Sequence, residues 1–349
     1  RSDLYNYGRD FVLHFELTNK CNARCILCPR TVLDNDIPTQ DPNLNLSEIT
    51  LDNYKKIFYN NKNDIRKILL CGNLGDPIIA KDIFEITEYS LSSVLNKTQG
   101  KFDVRTNGSL RTKKWWSEYG KLCKGVKPGV VFGIDGLKDT SHIYRVNTSF
   151  EKVIENAAAF IEQGGVAIWQ FIIFKHNVHQ LEDAKELARK MGFHNFLSFN
   201  NTREEKINYV WKGKNYTLEN FDTNMTKPHE DGKIHCLAHK NNMIYIDSFG
   251  NVFPCCWVPV DLDHDITMNS FIKEKAWDKD FIKILQNDWF SHILPMSFES
   301  FPIPMCKQVC SKKSTASGRS QVESTASAHK YKERVVEMGG LGSREYIKL

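Results

Sequence analysis

The chain has 349 residues, 41% hydrophobic and 26% charged, which is ordinary for a globular protein with a buried core. Its net charge of +5 is mild and dispersed, which argues against the dense basic stripe of a nucleic-acid-binding surface. No apolar run reaches the about 18 residues needed to span a bilayer, and Arg1-Ser2-Asp3 opens no signal peptide, so a cytoplasmic location with no membrane partner is expected.

The first predicted element is a strand over residues 11–17 (FVLHFEL), followed at once by a cysteine-bearing loop. Residues 51–60 read as a helix. Residues 67–71 (KILLC) read as an apolar strand ending in Gly72-Asn73-Leu74-Gly75-Asp76-Pro77, and 81–95 as a second helix. A strand at 102–105 ends in Thr106-Asn107-Gly108, and a helix covers 111–123. Residues 129–134 (GVVFGI) form a strand ending in Asp135-Gly136. An amphipathic helix over 150–163 stops at Gly164-Gly165. A buried strand at 166–174, a helix at 179–191 and a strand at 195–199 complete six alternations.

That rhythm predicts parallel βαβ units. Six units are too few for a closed eight-unit barrel, so the expected class is α/β, as a partial (β/α)6 TIM-like barrel or an open doubly wound sheet. In both, chemistry gathers at the C-terminal strand ends, where the cysteine loop, Gly72–Pro77, Thr106–Gly108 and Asp135-Gly136 all lie.

Beyond residue 205 the rhythm changes. Residues 205–234 are polar and read as irregular, whereas 242–253 (NMIYIDSFGNVF) read as a β-hairpin turning at Ser248-Phe249-Gly250-Asn251. A helical region follows near 270–287, and 311–328 is low-complexity and linker-like. The expected domains are a barrel over 1–205, a small auxiliary domain over 206–310 and a tail over 311–349.

Ten cysteines are too few for a disulfide scaffold in so long a chain, and their clustering reads as metal ligation. Cys21-Asn22-Ala23-Arg24-Cys25-Ile26-Leu27-Cys28 is a CxxxCxxC run directly after a strand. Three thiolates on one loop hold three irons of a cubane and leave the fourth open for chemistry. The competing reading is a structural zinc site, which recruits paired CxxC or CxxH ligands; its nearest fourth ligand here is His14. The run resembles the signature of the radical S-adenosylmethionine (radical SAM) superfamily, over residues 10 to about 310, with Leu27 where that signature usually has an aromatic residue.

The resemblance implies that Cys21, Cys25 and Cys28 bind a 4Fe–4S cluster. Its open iron chelates S-adenosyl-L-methionine, and an electron donor such as flavodoxin or ferredoxin drives reductive cleavage to a 5′-deoxyadenosyl radical that abstracts a substrate hydrogen. It further implies cofactor contacts at Gly72, Gly75 and Asp76, with Asp76 and turn carbonyls meeting the ammonium group. Asp135 suits the ribose hydroxyls, Arg145 the methionine carboxylate because its fork is planar and bidentate, and Asn107 lines the same face.

Cys236, Cys255, Cys256, Cys306 and Cys310 form a second group. From Cys236 through the hairpin, the chain resembles the C-terminal extension called twitch, or its larger relative SPASM. There Cys236, Cys255, Cys306 and Cys310 match the ligands of an auxiliary 4Fe–4S cluster, with Cys256 able to replace Cys255; a structural zinc site on the same four thiolates is the alternative. Cys71 and Cys123 read as core residues. The implied activity is that of an oxidoreductase, a two-electron oxidation passing an electron to the auxiliary cluster. The alternatives are a peptide-modifying maturase and a non-catalytic iron–sulfur or zinc scaffold. The substrate is a small molecule or a peptide, faced by Gln170, Lys175, His176, Asn177 and Arg203.

Overall fold

The structure, a computed structural model, describes residues 10–60, 65–95, 100–201, 206–221, 226–228, 233–261, 274–300, 302–314 and 347–348. In chain order the elements are β1 (Phe11–Phe15), β2 (Thr31–Asp34), β3 (Ile37–Gln40), α1 (Leu51–Asn60), β4 (Ile65–Leu70), α2 (Ile83–Tyr89), β5 (Lys101–Thr106) and α3 (Lys113–Leu122). There follow β6 (Pro128–Gly133), α4 (Ser141–Tyr144), α5 (Phe150–Glu162), β7 (Ala167–Ile173), α6 (Leu181–Met191), β8 (Asn195–Asn200), β9 (Lys206–Trp211) and β10 (Lys214–Glu219). Beyond them lie β11 (Thr226–Pro228), α7 (Leu237–Lys240), β12 (Met243–Ile246), β13 (Val252–Phe253) and several short helices, ending with Pro304–Cys310.

The expected alternation is present, and local chemistry sets its boundaries. Thr112 caps α3 by accepting from Trp115 N, and Ser149 caps α5 by accepting from Lys152 N. The helix expected over 81–95 changes character at Ser90, where a π-helical stretch runs to Leu95. Hydroxyls of Thr87, Ser90 and Ser92 each donate to the carbonyl four residues back, competing with the backbone ladder there. Among the described residues no helix is long and apolar enough to cross a membrane.

The chain divides into two compact units, Arg1–Cys21, Asn45–Val104 and Pro228–Lys312 in one, Asn22–Leu44, Arg105–Lys227 and Lys313–Leu349 in the other. In the first, β1 lies between β4 and β12 and pairs parallel with both; β5 extends the sheet beyond β4, and β13 closes the far edge antiparallel to β12. The expected 242–253 hairpin is therefore β12–β13, and through β12 it adds directly to the first barrel strand. Phe11, Leu13 and Phe15 are fully buried in this sheet, and Phe281 meets Phe11 edge-on at 5.1 Å.

In the second unit β6, β7 and β8 are parallel neighbours, and Trp116, Tyr119, Phe132 and Phe160 form an aromatic core beneath α3 and α5. Two hairpins belong to this unit. β2–β3 turns through Asn35 and Asp36 (φ 46° and 65°), and β9–β10 turns through Lys212 and Gly213 (φ 49° and 74°), both two-residue turns of the left-handed type that matches strand twist. The second corrects the reading of 205–234 as irregular: its alternation on 206–211 and the Lys-Gly turn specify a hairpin, with Tyr209 stacked on Tyr216 at 5.3 Å.

Candidate active site

In the first unit the Gly72–Pro77 turn lies against the chain leading into Cys21. Cys71 N donates to Phe15 O at 3.0 Å and Asp76 N to Lys20 O at 2.9 Å. A Cβ on Gly75 would stand 1.7 Å from Thr18 O, so only glycine permits this approach. Asp76 is 4% exposed and one of its carboxylate oxygens accepts from Ile78 N at 3.1 Å, capping the Pro77–Ile79 turn. Beneath lies Glu16, which sequence reasoning passed over. It is 3% exposed and accepts from Leu74 N, Gly75 N and Tyr245 Oη at 2.6, 3.0 and 2.7 Å. Burial raises its pKa, and these donors oppose the rise. Its signal was a lone carboxylate in an otherwise apolar strand just before the cysteines. His14, the fourth ligand a zinc site would need, instead sets Nε2 against Cys71 O at 2.6 Å.

In the second unit the rest of the motif is clasped by strand ends. Asn22 accepts from Asn107 Nδ2 at 2.9 Å and donates to Ser109 Oγ at 2.8 Å, and Asn147 Nδ2 donates to Asn22 O at 2.7 Å. Asn107 Oδ1 also accepts from Ser109 N, so Asn107 acts here as a clasp on the cysteine loop. Arg24 N donates to Val146 O and Ile26 N to Tyr144 O, while Ile26 is buried in a cluster with Tyr144, Val146, Phe174, Tyr209 and Leu218.

Asp135 and Arg145, each expected to meet the cofactor, are brought against each other. Arg145 Nε donates to Asp135 Oδ2 at 2.6 Å, and Asp135 Oδ1 accepts from Ile172 N at 2.5 Å. Asp135 is fully buried and Arg145 lies within 2.4 Å of where a Cβ on Gly133 would stand, so that glycine makes room for the guanidinium. Burial works against the charge of Arg145, but Asp135 and Cys25 outweigh it and raise its pKa. Burial also pushes the Cys25 thiol up to about 11, opposed by the charge and hydrogen bond of Arg145.

The C-terminal thiols show a different arrangement. Cys236, Cys255 and Cys310 lie close enough to act on one another electrostatically. Cys236 receives N–H groups of Ala238 and His239, Cys255 those of Trp257 and Val258, and Cys310 that of Leu237. Burial pushes Cys255 up to about 11 and Cys310 up to about 12. Cys306 is buried one turn before Cys310 on the same short helix, and residues four apart share a helix face. Cys256 differs: its carbonyl accepts from Asn73 Nδ2, and its thiol acts on Tyr245. Cys123 is buried in the core, as expected.

Among the described residues no three His, Cys, Asp or Glu side chains stand close enough to bind a single metal ion. A cubane asks for wider spacing, because each thiolate binds a different iron, and N–H groups aimed at sulfur are among the features that tune such clusters. Three free thiols within eight residues, Cys21, Cys25 and Cys28, are the donor chemistry that a 4Fe–4S cluster takes.

Of the residues expected to face substrate, Gln170 accepts from Arg105 Nη1 at 3.2 Å and Lys175 pairs with Glu219 at 2.6 Å. Asn177 is structural, donating to Asp135 O and Ile172 O and accepting from Phe174 N. Arg203 lies outside the described residues. His176, just past β7, stacks on Phe174 at 5.4 Å, and neither ring nitrogen has a hydrogen-bond partner among the described residues. A cleft of about 500 Å³ opens beside the cysteine loop, lined by Asn22, His142, Thr148, Trp211, Lys214 and Tyr216 among others.

No protein-family model and no curated protein matches the chain. Solved structures do. SuiB from Streptococcus suis bound to S-adenosylmethionine superposes with a TM-score of 0.55 at 14% identity, over 86% of this chain and 72% of that one. anSMEcpe with bound AdoMet gives 0.54 at 13% identity, over 83% and 84%. SuiB bound to the precursor peptide SuiA gives 0.53 at 14% identity, over 82% and 67%. The fold is thus the partial α/β barrel of radical SAM enzymes.

Proposed function

We propose that this chain is a radical SAM enzyme that carries out a two-electron oxidation of its substrate. Cys21, Cys25 and Cys28 hold the radical cluster, and Cys236, Cys255, Cys306 and Cys310 hold an auxiliary one. The observation that carries the reading is that in each unit strand-end segments are hydrogen-bonded directly onto the chain bearing the CxxxCxxC motif. When bound, the two clusters and S-adenosylmethionine supply reductive cleavage of the cofactor, hydrogen abstraction from the substrate and a sink for the second electron.

The chain's own residues hold and shield that chemistry. Gly75 brings the turn against Thr18, on the chain leading into Cys21. Asp135 keeps Arg145 charged beside Cys25, and Ile26 seals the loop with apolar packing. His176 is neutral at pH 7, its pKa lowered by burial to about 4, and its buried ring nitrogens have no hydrogen-bond partner among the described residues.

A peptide is the favoured substrate class, since two of the structural neighbours are described with bound peptides, SuiA for SuiB and Cp18Cys for anSMEcpe. The test is anaerobic reconstitution with iron, sulfide and a chemical reductant, assaying candidate peptides and small molecules. Wild type is expected to carry about eight irons and C306A/C310A about four, by the stoichiometry of two four-iron clusters. The double variant should retain part of cofactor cleavage and lose most product. Four irons and one tight zinc in wild type would return the C-terminal thiols to a structural role.

A further inference from the structure

We infer that Glu16 is a positioning residue for the turn that receives the cofactor's ammonium group, and that Tyr245 ties this turn to the cysteine-bearing C-terminal segment. The inference rests on the cofactor-binding reading of Gly72–Pro77.

His14 lies on β1 and Glu16 follows that strand directly, its N–H donating to Ile246 O at 2.9 Å, and Tyr245 is the register partner of His14 on β12. A buried carboxylate is tolerated where donors satisfy it. Those of Glu16 come from two other segments: Leu74 N and Gly75 N on one oxygen, Tyr245 Oη on the other. In a trans peptide the N–H and the preceding carbonyl point in opposite directions. By drawing the N–H groups of Leu74 and Gly75 toward itself, Glu16 turns the carbonyls of Asn73 and Leu74 away, and backbone carbonyls are the acceptors an ammonium group needs.

Further contacts run along the same path. Asn73 Nδ2 donates to Cys256 O, next to Cys255. His14 sets Nε2 against Cys71 O at 2.6 Å, and its ring meets Tyr245 edge-on at 4.9 Å. The carboxylate under the turn thus touches Tyr245 directly, and the segment entering the turn reaches the same tyrosine through His14, on the hairpin that leads to Cys255.

The test uses the reconstituted protein, with Y245F, E16Q and the double variant. Y245F keeps the ring against His14 and removes only the donor to Glu16; E16Q keeps the shape and removes the charge. Readouts are iron content, thermal midpoint, calorimetric S-adenosylmethionine affinity, and the change in the reduced cluster's paramagnetic spectrum on cofactor addition. With iron at the wild-type level, Y245F is expected to weaken cofactor affinity about tenfold, and E16Q at least as much, as for a hydrogen bond to a charged group. The double variant should be no worse than E16Q, because both act through one carboxylate. Unchanged affinity and an unchanged spectral response in Y245F would overturn the inference, and Y245F decides alone if E16Q fails to fold. Wild-type protein that binds no S-adenosylmethionine would instead overturn the cofactor reading, and the inference with it.

Discussion

Cys25 lies against the guanidinium of Arg145, whereas Cys236, Cys255 and Cys310 lie against one another and against backbone N–H groups. The first environment supplies a full positive charge, which itself requires a counter-ion, and Asp135 provides it from full burial. The second supplies dipoles fixed by short turns, which need no partner. Losing one side chain therefore damages the two regions differently: beside Cys25 it strands a buried charge, while in the C-terminal segment it removes one thiol and leaves the dipoles in place.

The largest expected effect follows from that buried charge. R145A leaves Asp135 buried without its counter-ion, and the protein should lose roughly 3–5 kcal/mol in denaturant unfolding, with R145K recovering part of it. A loss confined to cofactor affinity, with stability unchanged, would mean that Arg145 meets the cofactor rather than Asp135.

Next comes a ligand swap in the second region. C255S should fall from about eight irons to about four, whereas C256S should stay near eight, because one thiol faces its partners and its neighbour serves the turn through its backbone. Equal iron loss in both would erase the distinction.

The smallest effect concerns acid. Burial, with His142 and His179 adding to it, lowers the His176 pKa to about 4. Unfolded, a histidine takes its proton near pH 6.5; folded, His176 resists until about pH 4, so the unfolded state binds more protons in that window. This contribution is complete above the unfolded value and is lost as pH falls toward the folded one, on the order of 2–3 kcal/mol. H176Q should flatten the thermal midpoint across pH 4–6.5; an unchanged pH profile would show His176 to be solvated.

The alternation of six strands and helices was legible because period and breakers agree along residues 11–200. The cysteine motif was legible because its spacing is chemical. What escaped is partnership. Asp135 and Arg145 were both singled out, yet that they pair is a matter of β6 and α4 folding back within ten residues. Asn107 was chosen for the strand end it occupies, but its clasp on Asn22 crosses 85 residues. Glu16 went unread because a single charge in an apolar strand acquires meaning only when the N–H groups of Leu74 and Gly75 arrive above it. The β9–β10 hairpin was hidden by polar composition, although the Lys212-Gly213 turn was visible.

The central claim is that the CxxxCxxC loop holds a cluster that cleaves S-adenosylmethionine. The most direct measurement compares wild type with the C21A/C25A/C28A variant after anaerobic reconstitution, counting iron and quantifying 5′-deoxyadenosine under reductant. The account predicts that the variant loses about four irons per chain, keeps the auxiliary iron and forms no 5′-deoxyadenosine. Cofactor cleavage by the triple variant at the wild-type rate would contradict it.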